Sequence, residues 1–326
     1  MKNKLKLQSL WSLFFSILFM TVGMHSAQAQ TDAELAKVYP NSKMVRVMAY
    51  NIWCGFEWQK DVDRMKRTAE WIKKQDPEVI ALEELNSFDE KTLLEFAKMY
   101  GHSYAVIQKT EGYPVGITSK RPIEVVKKYW GEDMGHGFLH VRTYGMDMIV
   151  LHLTPFSCKF RLNEARKLTD YVRDNNLERC LLMGDFNAHS PYDAEELDQH
   201  TELIQGYSTY AIRYPEYSSV HGKNLDYAVM SEFYATPLED PIRNFVPVKE
   251  RMTYPSFTFS EKRKGKNTLE RCGERIDYIL ATYSLYDSVV DAHVWNGEEN
   301  RYFSDHYPIG IDLLLDNKAI EGVEQK

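Results

Sequence analysis

Residues 181–193 read LLMGDFNAHSPYD. The apolar start, with Cys180 before it, has the composition of a buried strand, and within five residues of its end come Asp185, Asn187 and His189. A single ending of this kind is an Asx turn. Here the same event recurs. VRVMAYN (45–51) ends on Asn51, VIALEE (79–84) on Glu84, and MDMIVLHL (146–153) carries His152 at its end. RIDYILA (275–281) begins beside Asp277, and Ser304-Asp305-His306 leads into PIGIDLLL (308–315). Strand ends that each deliver a cation ligand or a proton-transfer group define a reaction site if they align at one edge of a sheet.

Around these strands the pattern is α/β. Val62, Met65, Ala69 and Ile72 fall at helical spacing, so 45–84 reads as a β-α-β start. A helix over 89–100 follows, then SYAVIQ (103–108), PVGITS (114–119), IEVVKKYW (123–130), GFLHVRT (137–143) and MDMIVLHL, a β-meander punctuated by Gly, Pro and charged turns. A helix from about Arg161 to Asp174 leads into the opening strand, and LDYAVM (225–230) reads as a further strand. No linker, repeat or low-complexity block interrupts 40–315, and the tail from Asn317 is polar and expected to fray. The stretch between Asn187 and Arg275 is rich in tyrosine (Tyr207, Tyr210, Tyr214, Tyr217) and gives no clear period; long loops of this kind often carry specificity.

The N-terminus stands apart. Lys2, Lys4 and Lys6 precede an apolar run from Leu10 to Met24, and Ala27-Gln28-Ala29 supplies a cleavage-type ending, so 1–29 reads as a signal peptide and 30–326 as one catalytic domain. The apolar run is short for a bilayer span, and no later segment is long enough to make one. Several lysines, a short apolar core and no cysteine at the cleavage site indicate a bacterial, non-lipidated protein exported to the periplasm or beyond. Removing the leader takes three lysines and no acids, moving the formal charge from −7 to −10, which argues against broad electrostatic adhesion to nucleic acid or anionic lipid. Cys54, Cys158, Cys180 and Cys272 show no zinc-type spacing; in an oxidising compartment they allow up to two disulfides, with Cys180 the one expected to be buried and unpaired.

Carboxylate and amide oxygens without a convergent cysteine set suit Mg²⁺, Mn²⁺ or Ca²⁺, and histidines beside acids suit proton transfer or charge neutralisation at a phosphoryl oxygen. Together they are the parts of a phosphoester hydrolase. VMAYNIW, IALEEL, IVLHLTP, LMGDFNA, RIDYIL and SDHYPIGIDL, in that order over residues 45–313, resemble the endonuclease/exonuclease/phosphatase superfamily of metal-dependent phosphoester hydrolases. The resemblance implies a two-sheet, four-layer α/β sandwich of mixed, mainly antiparallel strands, with the active site at one end of the stacked sheets.

It also implies roles. Glu84 matches the family's metal-binding glutamate, Asn51 the asparagine that helps hold metal or phosphate, and Asp305 an additional metal ligand. Asp185 matches the residue that orients or deprotonates the attacking water, and Asn187 would hold a phosphate oxygen and fix that carboxylate. His306 resembles the histidine on the scissile phosphate, with Asp277 orienting it. His152 points to the branch of secreted deoxyribonucleases, sphingomyelinases and inositol-phosphate phosphatases, as a general acid or phosphate contact. Arg275 and His189 are candidate substrate contacts. Arg161 and Arg166 read as helix-surface charges, and the basic run EKRKGKN (261–267) as a solvated loop or a contact for an anionic substrate.

The substrate stays open. A phosphodiesterase or phosphatase acting on a small, lipid or sugar phosphate is the first reading, with Mg²⁺ as cofactor and no stable protein partner. A secreted endonuclease on DNA or RNA comes next, although no basic–aromatic track is present. A sphingomyelinase-like lipid phosphodiesterase lacks an evident apolar hairpin. Cys272-Gly273-Glu274-Arg275-Ile276-Asp277 departs from the approach to the dyad aspartate in inositol-phosphate phosphatases. A silent binding module would have no need of both the imidazole–carboxylate dyad and a water-activating aspartate.

Overall fold

The structure, a computed structural model, describes residues 38–258 and 273–321. The expected leader, the basic run 261–267 and Cys272 lie outside the described residues, and no described helix is long and apolar enough to cross a membrane. Two six-stranded sheets face each other. The first has the order β13-β14-β1-β2-β4-β3, from Val289–Val294, Ile309–Asp316, Ser42–Asn51, Val79–Glu83, Gly116–Ser119 and Tyr104–Ile107. The second is β11-β12-β8-β7-β6-β5, from Leu238–Glu239, Asp277–Thr282, Cys180–Asp185, Met146–His152, Met134–Thr143 and Glu124–Gly131. A two-stranded ribbon, β9 (Val220–His221) with β10 (Asn224–Leu225), stands outside both.

Each sheet contains one parallel pair. β1 joins β2 through helix α1 (Val62–Gln75), and β7 joins β8 through helix α3 (Cys158–Asp174); all other pairings are antiparallel. A parallel pair needs a crossover, and the helix that makes it must bury its apolar stripe against the sheet. Helices α1 and α2 (Glu90–Met99) cover the first sheet through Trp71, Ile72 and Phe96 against Met48, Tyr50 and Leu82. Helices α3 and α5 (Ala228–Tyr234) cover the second through Leu168, Val172 and Phe233 against Leu151, Leu182 and Leu280. Between the sheets, Val45, Val47, Ala49, Val79 and Ala81 meet Met148, Val150, Leu181, Met183, Ile279 and Ile311. Central strands are buried on both faces, which makes them nearly continuous apolar runs. The layers are helix, sheet, sheet, helix.

Four sequence-based expectations change. The meander is divided: β3 and β4 form a hairpin in the first sheet, and β5, β6 and β7 continue in the second. LDYAVM is not one strand; only Leu225 is in β10, and Ala228 opens helix α5, whose Val229, Met230 and Phe233 are buried at helical spacing. The segment after Asn187 holds helix α4 (Thr201–Arg213), and the tail begins with a short helix, Asn317–Glu321, that buries Ile320. Cys54, Cys158 and Cys180 are free thiols.

Two local features hold the sandwich in register. Arg46 on β1 lies directly across from Asp312 on β14 and makes two 2.7 Å hydrogen bonds to its carboxylate, while His293 Nε2 lies 3.0 Å from Asp312 Oδ2. Burial works against the charged carboxylate, but these partners bring its pKa down to about 2. Gly184, at φ +135°, is the second: a Cβ there would sit 2.0 Å from the Leu151 carbonyl oxygen and 3.0 Å from Glu83 Oε1.

A depressed carboxylate pKa contributes stability above the unfolded value and loses it as pH falls through the folded one. Asp312→Asn is therefore expected to lower unfolding free energy by about 2 kcal/mol near pH 6, with the gap to wild type closing between about pH 4 and pH 2 in urea titrations. Gly184→Ala combines strain with a backbone clash and is expected to cost about 3 kcal/mol or more, read as a drop in thermal midpoint.

Candidate active site

Alternation along the strands decides which side chains enter the space between the sheets. Val45, Val47 and Ala49 face inward, and so does Asn51 after them; the same parity carries Glu83, His152, Asp185 and Asp277 inward at one end of the sandwich. Pairing then makes them neighbours: Asn51 is opposite Glu83, His152 opposite Asp185, and Asp185 opposite Asp277. All five are buried.

Strand parity alone would turn Glu84 away from this cluster. It sits instead at φ +58°, the left-handed region, directly after β2, and its carboxylate comes back to meet Asn51 Nδ2 at 3.3 Å. The Cys54 amide donates to its other oxygen at 2.7 Å, and the Trp53 amide donates to Asn51 Oδ1 at 3.0 Å. Both amides belong to a left-handed turn, Trp53–Gln59. Only glycine adopts that backbone freely, and at Gly55 a Cβ would lie 2.2 Å from the Asn86 carbonyl oxygen.

Asp185 is the hub. Its Oδ1 accepts from the Asn187 amide at 2.8 Å; its Oδ2 faces Asn51 Nδ2 at 3.2 Å, His152 Nε2 at 3.4 Å and His306 Nε2 at 3.7 Å. His306 Nδ1 lies 2.9 Å from Asp277 Oδ2, and the Tyr254 ring packs 4.9 Å from the imidazole. The two histidines are driven in opposite directions. Burial opposes charge on His306, yet Asp277 and Asp185 beside it hold its pKa well above the ordinary histidine range. Burial pushes His152 well below that range, reinforced by the nearby His136, His306 and Lys109, and its Nδ1 is buried without a partner among the described residues. A charged imidazole and a neutral one thus flank a single carboxylate. Asn187, at φ +48°, ties its side-chain amide to the Leu153 carbonyl, which fixes the chain just after His152.

Asp305 is 7% exposed and accepts from Ser304 Oγ at 3.2 Å; the same hydroxyl lies 2.6 Å from the Asn51 carbonyl oxygen. Burial raises the Asp305 pKa to about 7, with His306 pulling down and Glu84 pushing up. Glu83 went unread in the sequence: it is fully buried, neither carboxyl oxygen has a partner among the described residues, and burial with Asp277 and Asp185 nearby raises its pKa well above the ordinary range. The signal was available, because Glu83 shares inward parity with Val79 and Ala81.

Glu84, Asp185, Asp277 and Asp305 therefore crowd around one imidazolium, with the Glu83 carboxyl behind them, and the donors are oxygens and imidazole nitrogens. That excess of negative charge and that donor set fit a hard divalent cation. Asp185, Asp277 and His306 each offer a donor atom within 4.8 Å of the others, while Glu84 and Asp305 bring carboxylates from the first sheet.

Two candidates are not brought to the cluster. Arg275 is fully buried, with Nε 2.6 Å from Asp193 and its terminal nitrogen 2.8 Å from Asp240, so its guanidinium is consumed in an internal ion-pair network. His189 is likewise buried and packs its Nε2 2.5 Å from Glu274, which also accepts from Tyr207. Arg161 is not a surface charge either; it donates to the Thr154 carbonyl and to Ser219 Oγ, whereas Arg166 is exposed near Glu232.

The profile of the Endonuclease/Exonuclease/phosphatase family matches residues 48–306. Solved structures with this architecture include an AP endonuclease from Archaeoglobus fulgidus, at TM-score 0.61 and 19% identity over 82% of this chain and 99% of that one. A 3'-5' exonuclease from Neisseria meningitidis aligns at TM-score 0.59 and 20% identity over the same shares. A 3' phosphatase from Neisseria bound to product DNA hairpin aligns at 0.60 and 19%, again over 82% and 99%. At these identities the likeness shows the fold.

Removing the anion behind His306 reduces the charge it can keep. Asp277→Asn is expected to lower kcat by about two to four orders of magnitude. Because Asp277 raises the His306 pKa, its loss moves the alkaline limb of the kcat/KM profile to lower pH; an unmoved limb would separate Asp277 from this role.

Proposed function

The chain belongs to the endonuclease/exonuclease/phosphatase family and is a metal-dependent phosphoester hydrolase, and on that premise we propose that it is an exported phosphodiesterase or phosphatase acting on a small, lipid or sugar phosphate. The observation that carries the reading is the convergence on Asp185 Oδ2 of Asn51, His152 and His306, with Asp277 behind His306. A phosphoryl oxygen entering beside Asp185 meets the same three donors.

Glu84, with Asn51 and Asp305, would hold a divalent cation of the Mg²⁺ type, which supplies charge neutralisation at a non-bridging phosphate oxygen. Asp185 takes the proton of the attacking water; burial, which raises its pKa to about 8 against the pull of His306, makes it a usable base. His306, kept charged by Asp277, binds the phosphoryl oxygen on which negative charge grows. His152 stands across Asp185 Oδ2 and, being neutral, passes a proton between Asp185 and the departing oxygen rather than adding fixed charge. Asn187 holds the Asp185 carboxylate and the backbone beyond His152 in one orientation.

A leader over 1–29, cleaved before the catalytic domain 30–326 folds outside the cytoplasm, completes the proposal. His152 favours the deoxyribonuclease, sphingomyelinase and inositol-phosphatase side of the family. A nuclease is the second reading, favoured by the DNA product held by one structural neighbour and opposed by the formal charge of −7.

The test is hydrolysis of bis-p-nitrophenyl phosphate, p-nitrophenyl phosphate, sphingomyelin and plasmid DNA with Mg²⁺, Mn²⁺ or EDTA. Turnover of one class is expected, lost in EDTA and reduced about a thousandfold or more in Asp185→Asn. Preference for DNA over the small esters would establish the second reading, and undiminished turnover by Asp185→Asn would overturn the assignment of the water-activating group.

A further inference from the structure

Beside His152 stands a wall of residues that the mechanism above does not use: Lys109, Tyr113 and His136. The His136 ring lies 4.5 Å, centroid to centroid, from His152. Tyr113 packs 5.3 Å from His136 and 6.4 Å from His152, and it lies within electrostatic reach of Glu84. Tyr113 thus bridges the strand ends of the two sheets. Lys109, at the start of the same loop, is within electrostatic reach of both imidazoles.

Three facts mark this wall as a place for a ligand. Lys109 is half-buried and has no carboxylate partner among the described residues, so its ammonium carries part of the desolvation cost with nothing to offset it. His152 Nδ1 is an orphan polar atom inside the protein. The His136 imidazole, packed 4.5 Å from His152, is pushed toward the neutral form, to a pKa of about 4, chiefly by burial. An arriving anion would reverse each of these penalties at once.

The wall is also built to stay in place. The Asn86 side chain donates to the Gly112 carbonyl at 2.6 Å, the Leu85 amide to the Pro114 carbonyl at 3.0 Å, and the Gln108 amide to the Val115 carbonyl at 2.9 Å. His136 is clamped from both sides: Glu164 accepts from the preceding Gly135 amide at 2.8 Å, and Gln108 Nε2 donates to the His136 carbonyl at 3.1 Å. The other Glu164 oxygen accepts from the Thr154 amide, just beyond His152. Between β5 and β6 the register shifts at Tyr129/Gly131, and Gly137 at φ +84° brings the backbone against Tyr129, a bulge that re-aims His136. A backbone held this way lowers the ordering cost of binding.

We propose that Lys109, Tyr113 and His136, with His152 at their edge, form a subsite for a second anionic group of the substrate. The substrate is then a phosphoester that carries another phosphate close to the scissile one. This rests on the hydrolase reading of the adjacent site. Lysine as a point charge, with a His136 ring nitrogen and the Tyr113 phenol as donors, matches a tetrahedral anion better than a flat or apolar group.

Calorimetric titration at saturating Mg²⁺ compares a bisphosphonate whose phosphonates are joined by a short alkyl linker with the matching monophosphonate; neither is hydrolysed. The wild-type chain is expected to bind the bisphosphonate about tenfold or more tightly than the monophosphonate, and Lys109→Met and His136→Gln are each expected to shrink that ratio to about threefold or less. Equal affinity in the wild type, or a ratio that survives in both variants, overturns the subsite. Thermal midpoints confirm that both variants are folded. Turnover of bis-p-nitrophenyl phosphate by the wild type is measured in parallel, and its failure would count against the hydrolase reading while leaving the binding ratio to decide the subsite.

Discussion

The arrangement depends on keeping several carboxyl groups together out of water. Glu83, Asp185, Asp277 and Asp305 are buried around His306, and Glu84 joins them from the rim. Unpaired buried carboxylates are costly, and close ones repel. The molecule answers with three devices: a favoured imidazolium on His306, backbone and side-chain amides aimed at Asp185, Glu84 and Asn51, and a pKa on Glu83 raised far enough for it to hold a proton. A divalent cation offsets the same excess by other means. Affinity for metal and the instability of the empty cluster are two aspects of one electrostatic fact.

Geometry satisfies this constraint by repetition. Each sheet has a parallel βαβ unit whose strand ends supply one pair of residues, Asn51 with Glu84 and His152 with Asp185. Each also has an antiparallel strand that starts at the same edge: β12 brings Asp277, and the turn before β14 brings Asp305 and His306. Neither sheet holds a complete set, so the contact surface between Val47, Ala81, Met183 and Ile279 fixes catalytic distances as well as burying apolar area.

Much of this was legible in the sequence because central strands buried on both faces leave long apolar runs, and their polar endings stand out. What was hidden had specific causes. Glu84, read from its place at a strand end, reaches the site only through a positive φ, while Glu83, which went unread, has the parity that points inward. The four buried apolar residues of 225–233 are too few to separate strand from helix. Strand β13 buries only Ala292, so it lacks the apolar signature of its neighbours. Arg275 sits two residues from Asp277, yet its partner Asp193 is 82 residues away; sequence proximity says nothing about such a pairing. His136 owes its position to a bulge and to Glu164 and Gln108, none of which forms a motif.

The order of strands also carries a schedule. The second sheet is drawn from one continuous stretch, Glu124–Thr282, whereas the first is begun by β1 to β4 and closed by β13 and β14 near the end of the chain. Along the chain, Glu84, His152 and Asp185 thus come well before His306, and Asp277 precedes it by 29 residues. The site is complete only when β14 lies against β1, where the Arg46–Asp312 pair holds it. Until β14 is seated against β1, the chain holds a half-made reaction centre that lacks His306.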